Sequence, residues 1–368
     1  VNHQSLIVGL GTLVLAGCLN VAEERAEQDL RVGHASREGN RVDVEDGLAA
    51  VRRFEPGRLE LWANAPTLRV QLSVGDPAPA EWEVRVRNVM PDAVLTAEDA
   101  NGTELVSTAT DAAFTTERRV TLPVTPGTVV SIHVAAPDAD QPTPFTFIDF
   151  ADVQTAIDRV QDIFQKMNAE SAARFVVMCG DVTQNGRVDQ LERFQAEQGG
   201  LRLPIFTTLG NHELGDSDVP FHDFFGRGSE SFAFHGAHFT LLDSGSATLD
   251  PMVYGWLDGW LANAKGNAHF VFMHIPPIEP IGIRDGAFSS RAEADKLIVR
   301  LARGRVTGTF YGHVHSYYAF DNAGIPAFIS GGGGAIPERF DGIGRHFLVV
   351  DVDPDQRAMS SRVVRVDD

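Results

Sequence analysis

From residue 144 onward the sequence alternates short apolar runs with segments of helical spacing, and this rhythm restricts the chain more than any other feature. "FTFIDFA" precedes a stretch with Ile157, Val160, Ile163, Phe164 and Met167 at helical intervals. "RFVVMCGD" follows, then a helix near 189–198 and the run "LPIFTTLGNHE". The hairpin pattern "ESFAFHGAHFTLLDS" leads to a helix near 251–264, the strand "HFVFMH" and a helix near 291–303. "VTGTFYGHVH", "IPAFISGGGG" and "HFLVVDV" complete the series. Such alternation predicts an α/β layered fold on a parallel or mixed sheet. In open sheets of this kind, chemistry collects at the carboxyl ends of the strands.

The strand ends carry an unusual set of side chains. The first ends in Asp152 and Gln154, the second in Gly180-Asp181, and the third in Gly210-Asn211-His212-Glu213. A later buried strand ends in His274, and another in Gly312-His313-Val314-His315. Each end offers a metal-binding side chain, and several follow a glycine, which lets the backbone turn sharply or approach a ligand. Singly, each has a bland reading: a lone strand-end histidine is usually a hydrogen-bonded core residue, and "GNHE" suits a turn before a helix cap. Together, in this order, they point to one metal site. Asp149, inside the first apolar run, has no evident partner. A buried carboxylate needs a hydrogen bond, a countercharge or a metal, and in a regular strand Asp149 faces away from Asp152.

"FADVQ", "CGDVTQNG", "LGNHE", "FMHIPP" and "YGHVH" closely resemble the ordered motifs of calcineurin-like metallophosphoesterases, distant relatives of purple acid phosphatases. The resemblance spans about residues 144–352. It implies an α/β (α+β) fold, a four-layered αββα sandwich with a dinuclear metal site at one edge, and a domain running over 144–368. It also implies that Asp181 bridges two divalent or trivalent ions. Asp152, Asp181 and His315 would hold one, with Gln154 a further ligand; Asp181, Asn211, His274 and His313 would hold the other. Asp, Asn and His ligands suit Mn, Fe or Zn rather than thiolate-preferring metals. The implied reaction is hydrolysis of phosphate mono- or diesters, with metal-activated water attacking in line. His212 would stabilise charge or protonate the leaving group. The family's usual first motif is Asp-x-His; here it is Asp152-x-Gln154, and a glutamine amide is the weaker ligand.

Other residues are weaker candidates. His222 in "PFHDFFG" is a candidate for substrate contact, and Arg284 and Arg339 for pairing with phosphate. His235, His238 and His269 fall on strands and read as structural. Gly331–Gly334 lacks the Lys-Ser/Thr of a phosphate-binding loop and reads as a tight turn near the metal edge.

Upstream, residues 41–138 alternate at period two, as in "EWEVRVRNV" and "LRVQLSV", with Asn101-Gly102 as a hairpin cue. This predicts a smaller all-β, antiparallel sandwich (Ig/fibronectin-like) ahead of the α/β domain. "PDADQPTP" reads as a linker. Residues 18–40 are polar and charged and read as a flexible tether. Residues 1–17 suit a secretory signal, and "LAGC" resembles the lipobox of bacterial lipoproteins. That resemblance implies lipid attachment at Cys18, export, and anchoring to the membrane of the cell envelope. Cys18 and Cys179 are the two cysteines, so no disulfide framework is expected. A net charge of −19 argues against a broad nucleic-acid-binding surface. It does not argue against a phosphoester substrate, since bound cations would dominate the local field. The competing reading is a non-catalytic binding or structural lipoprotein that keeps the phosphoesterase fold.

Overall fold

The computed structural model describes residues 22–215, 219–282, 286–338 and 342–367. The expected signal segment, Cys18, Arg284 and Arg339 lie outside these residues.

A first helix, α1 (Ala22–Asp29), precedes ten strands: β1 (His34–Arg37), β2 (Asn40–Val44), β3 (Ala49–Glu55), β4 (Arg58–Ala63), β5 (Leu68–Ser73), β6 (Glu81–Arg87), β7 (Val94–Glu98), β8 (Thr108–Ala109), β9 (Glu117–Pro123) and β10 (Val129–Ala135). They build two five-stranded sheets, ordered β1-β2-β5-β10-β7 and β3-β4-β6-β9-β8. The period-two pattern sets the inward faces: Leu68, Val70 and Leu72 from one sheet meet Trp82, Val84 and Val86 from the other in one core. Pairing is antiparallel except between β4 and β6, which run parallel with Leu59 beside Val84. This departs from the wholly antiparallel sandwich expected. The reason is topological: β5 lies between them in sequence but sits in the other sheet, so the chain re-enters in its original direction. Asn101-Gly102 does make a turn, in which Asp99 Oδ1 accepts from the amides of Asn101 and Thr103.

The described part of the expected tether is instead built into the fold. Arg25 and Asp29 on α1 are 0% and 1% exposed. Arg25 donates to both carboxylate oxygens of Asp243, at 2.6 and 3.1 Å, and to Ser246 Oγ at 3.0 Å. Asp29 accepts from the amides of Gly228 and Ser229 at 2.7 and 3.0 Å and lies 3.1 Å from His222 Nε2. Charged residues usually read as solvated; here they are buried because each has a partner. The same contacts give His222 a structural partner: it is buried against Asp29.

The remainder contains β11 (Phe145–Phe150), β12 (Ala173–Cys179), β13 (Ile205–Thr208), β14 (Glu230–Phe234), β15 (Ala237–Leu242), β16 (His269–Met273), β17 (Gly308–Tyr311), β18 (Tyr317–Asn322), β19 (Ile325–Ser330), β20 (His346–Asp353) and β21 (Ala358–Arg365). Its helices are α2 (Gln161–Ala169), α3 (Val188–Glu197), the single-turn α4 (Phe221–Phe224), α5 (Pro251–Asn263) and α6 (Arg291–Arg303). The helix expected through 157–167 is divided, with a 3₁₀ helix at Gln154–Arg159 before α2. Two sheets, β13-β12-β11-β20-β21 and β14-β15-β16-β17-β19-β18, face one another. Phenylalanines fill the gap; Phe147 and Phe239 meet edge-on at 5.4 Å, and Phe272 stacks on Phe310 at 4.9 Å. Ile163, Phe164 and Phe194 of α2 and α3 cover one outer face. Leu257, Leu297 and Leu301 of α5 and α6 cover the other. The result is the expected αββα sandwich behind a β domain. Because β11, β12 and β13 run parallel, as do β15, β16, β17 and β19, their carboxyl ends gather at one edge.

The burial of α1 is testable. Arg25→Met strands Asp243 as a buried, uncompensated charge and is expected to lower stability by about 3–5 kcal/mol. Denaturant unfolding measures this. A loss within about 0.5 kcal/mol, typical of a solvated surface residue, would contradict the packing of α1.

Candidate metal centre

Every strand end singled out in the sequence reaches this edge. The ligand atoms of Asp152, Asp181 and His274 lie within 4.8 Å of one another, and all three residues are buried. Around them the contacts fall into two groups. In the first, Asp152 Oδ1 lies 3.5 Å from His315 Nε2, and Gln154 Nε2 lies 3.2 Å from His315 Nε2 and 2.8 Å from Asp181 Oδ2. In the second, His274 Nε2 lies 3.3 Å from Asp181 Oδ2, 3.0 Å from Asn211 Oδ1 and 3.3 Å from His313 Nδ1. Asp181 belongs to both. Its other oxygen, Oδ1, accepts the backbone N–H of His212 at 3.0 Å.

The backbone is bent to make this happen. Asp152, Gln154, Asp181 and His313 have φ of 67°, 47°, 52° and 69°. Non-glycine residues in the left-handed region cost about 1–3 kcal/mol each and persist where the surroundings hold them. Here the bends turn strand-end side chains back across the sheet edge. Close approach matters as well. A Cβ on Gly210 would lie 2.1 Å from Asp181 Oδ1, and one on Gly331 would lie 2.2 Å from Val314 O and 2.8 Å from Asp152 Oδ2. The turn after β19 therefore sits against the centre, as the sequence suggested.

The imidazoles are oriented by backbone carbonyls. Nδ1 of His274, His212 and His315 lies 2.8, 2.7 and 2.8 Å from the carbonyl oxygens of Cys179, Gln184 and Ile336. A carbonyl only accepts, so each Nδ1–H donates to it and each Nε2 is left for the centre. Electrostatics show what the centre lacks. Burial opposes charge on His274, yet Asp181 and Asp152 override it and raise its pKa to about 9. Burial would raise Asp181, but the charges of His274 and His212 hold its carboxyl well below the usual range. The cluster is rich in lone pairs and calls for positive charge. Asp152 Oδ1 is buried without a hydrogen-bond donor. Carboxylate, amide and imidazole ligands in this proportion fit Mn, Fe or Zn, so the residues present suit a resident metal.

Gln154 is the exception within the set. As oriented, its amide nitrogen donates to Asp181; only the carbonyl oxygen, Oε1, can bind a cation. Glu213 reads in the sequence as part of a turn. It is fully buried and accepts from Gly210 N–H, Thr183 N–H and Thr183 Oγ1 at 2.9, 2.8 and 3.0 Å. Burial, then repulsion from Asp181, raises its pKa to about 7. Its position directly after Asn211-His212 was the available signal. Asp149 is fully buried and accepts from Cys179 Sγ at 3.3 Å, and burial holds its carboxyl well above the usual range. It contacts the Cys179 thiol in the core and stands outside the two groups of metal-binding side chains. His235, His238 and His269 are held by Thr143, Asn267 and Thr240, away from the centre.

Comparison with known proteins finds the family that the motifs resemble. Residues 145–317 match the model of the calcineurin-like phosphoesterase family. At the level of the family, that match and the buried Asp152, Asp181 and His274 cluster support a metal-dependent phosphoester hydrolase. Among solved structures, the chain is similar to GAP50, the anchor in the inner membrane complex of Plasmodium, at 15% identity over 61% of this chain and 85% of that one, with a TM-score of 0.46. A dimetal phosphatase from Danio rerio is similar at 16% identity over 59% and 98%, with a TM-score of 0.43. PhoD is similar at 12% identity over 82% and 87%, with a TM-score of 0.47. No curated protein sequence matches the chain.

Gln154 yields a two-sided prediction. Gln154→Leu removes a donor that holds Asp181, and loss of such a partner weakens metal binding by about 10–100-fold. Gln154→His offers an imidazole and should tighten it. Chelator-competition titration with Mn²⁺ measures both; unchanged affinity in the two variants would mean that position 154 does not influence the ions.

Proposed function

We propose that this protein hydrolyses phosphate mono- or diesters at a dinuclear metal centre. The observation that carries the reading is the sharing of one buried carboxylate, Asp181, between two groups of metal-binding side chains. Asp152, Asp181 and His315 would hold one ion, with Gln154 joining if its Oε1 turns inward. Asp181, Asn211, His274 and His313 would hold the other. Two such ions, when bound, polarise phosphoryl oxygens and lower the pKa of a water molecule. In the overall reaction the water oxygen bonds to phosphorus, the ester P–O bond breaks, and a proton reaches the leaving oxygen.

His212 has the geometry to manage that proton. Its Nδ1–H is committed to the Gln184 carbonyl, and its side chain is 27% exposed with Nε2 3.8 Å from Asp181 Oδ2. Nε2 is therefore the atom that carries or releases a proton at the mouth of the site. The buried partners do different work: Glu213 fixes the loop bearing Asn211 and His212 through the amides of Gly210 and Thr183. The chain's net negative charge is offset locally when the centre is loaded with cations.

Chromogenic phosphate monoesters and diesters, assayed with added Mn²⁺, Zn²⁺ or Fe²⁺, test the proposal. Asp181→Asn and His313→Ala should each abolish nearly all turnover. His212→Asn should lose about 10²–10⁴ in kcat, the range of a general acid, while metal content stays at the wild-type level. Wild-type rates in Asp181→Asn or His313→Ala would defeat the dinuclear reading.

A further inference from the structure

Strand β13 is an edge strand. β12 pairs with one side of it, and among the described residues no strand pairs with the other. Yet β13 is buried along its whole length, so the unpaired side cannot turn to water. An edge strand with buried, unmet N–H and C=O groups is costly. In a parallel ladder, alternate residues direct their backbone groups to opposite neighbours. Ile205 and Thr207 are the residues whose groups face away from β12.

Two side chains from the β domain meet those groups. Asn64 Oδ1 accepts the Thr207 N–H at 2.9 Å, and Asn64 Nδ2 donates to Thr207 O at 3.0 Å. Asn88 Oδ1 accepts the Ile205 N–H at 2.9 Å, and Asn88 Nδ2 donates to Ile205 O at 2.7 Å. Each carboxamide thus exchanges one donor and one acceptor with a single residue, which is what a hydrogen-bonded partner does in an antiparallel ladder. Both asparagines follow directly on adjacent strands, β4 and β6, and are 0% and 2% exposed. Asn88 is itself fixed: Nδ2 donates to Ala63 O and Oδ1 accepts from Gln198 Nε2. Its φ of 61° is one that asparagine tolerates.

We propose that Asn64 and Asn88 act as the missing partner strand of β13 and are positioning residues for the metal centre. β13 ends at Thr208 and runs at once into Gly210, Asn211 and His212. Register held at Thr207 is therefore passed, within five residues, to the metal-binding Asn211 and to the proton-carrying His212. The β domain is then a working part of the site rather than a spacer. The catalytic consequence rests on the metal-centre reading; the pairing itself does not.

Two measurements separate these levels. Native-state hydrogen exchange on the wild-type protein should find the amides of Ile205 and Thr207 as protected as those of Ile148 and Val177 in the sheet interior. Rapid exchange at these edge amides overturns the proposal. Asn64→Leu, which removes both hydrogen bonds, should weaken Mn²⁺ binding by about tenfold or more and accelerate exchange at Thr207. Leu72→Ala, in the core of the other β sheet, serves as a control and should lower the Tm with Mn²⁺ affinity unchanged. Wild-type Mn²⁺ affinity in a folded Asn64→Leu protein means a purely structural role and also overturns the proposal. If that variant does not fold, wild-type exchange still decides. A wild-type protein that binds no Mn²⁺ defeats the metal-centre reading, while the exchange result judges the pairing on its own.

Discussion

The carboxylate of Asp181 is 1% exposed and sits at the meeting point of three strand ends. Water cannot solvate it, so protein groups must. The His212 amide and the Gln154 carboxamide donate to it, and the His274 imidazole faces it from the second sheet. Much of the surrounding architecture follows from satisfying this one group. The parallel strands bring their ends together, glycine replaces larger residues where chains press on the acid, and backbone bends at Asp152, Asp181 and His313 aim side chains inward. Strain of this kind is stable only inside a well-packed frame.

That frame extends beyond the αββα sandwich. Asn64 and Asn88 occupy the open side of β13, and α1 fastens Asp243 and the amides of Gly228 and Ser229. Gly228 and Gly245 in those loops lie against Leu209 and Gly210, immediately before the Asn211-His212 loop. The N-terminal portion therefore supports the centre from two directions. Both supports are polar: paired charges in α1, and carboxamides in the β domain.

This polarity explains what the sequence disclosed and what it hid. The αββα core was legible because apolar runs such as 145–150 and 269–273 keep their period and end in chemically distinctive residues. Asp181, Asn211, His274, His313 and His315 stood out at those ends, and they do converge. The segment around Arg25 and Asp29 was misread because burial there is achieved by ion pairing, which composition cannot distinguish from solvation. Asn64 and Asn88 carry no signal in the sequence, since their partners are more than a hundred positions away. The parallel β4–β6 pair was hidden for a related reason: strand periodicity gives a strand's inner face but not which sheet it joins. Asp149 has its partner in the buried thiol of Cys179 on the neighbouring strand.

The central claim is that Asp181 is shared by two metal ions. Anomalous diffraction from crystals grown with Mn²⁺ tests it most directly. Two anomalous peaks flanking the Asp181 carboxylate are expected, one toward Asp152 and His315 and the other toward Asn211, His274 and His313. A single peak, or peaks that leave Asp181 without a metal contact, would contradict the account.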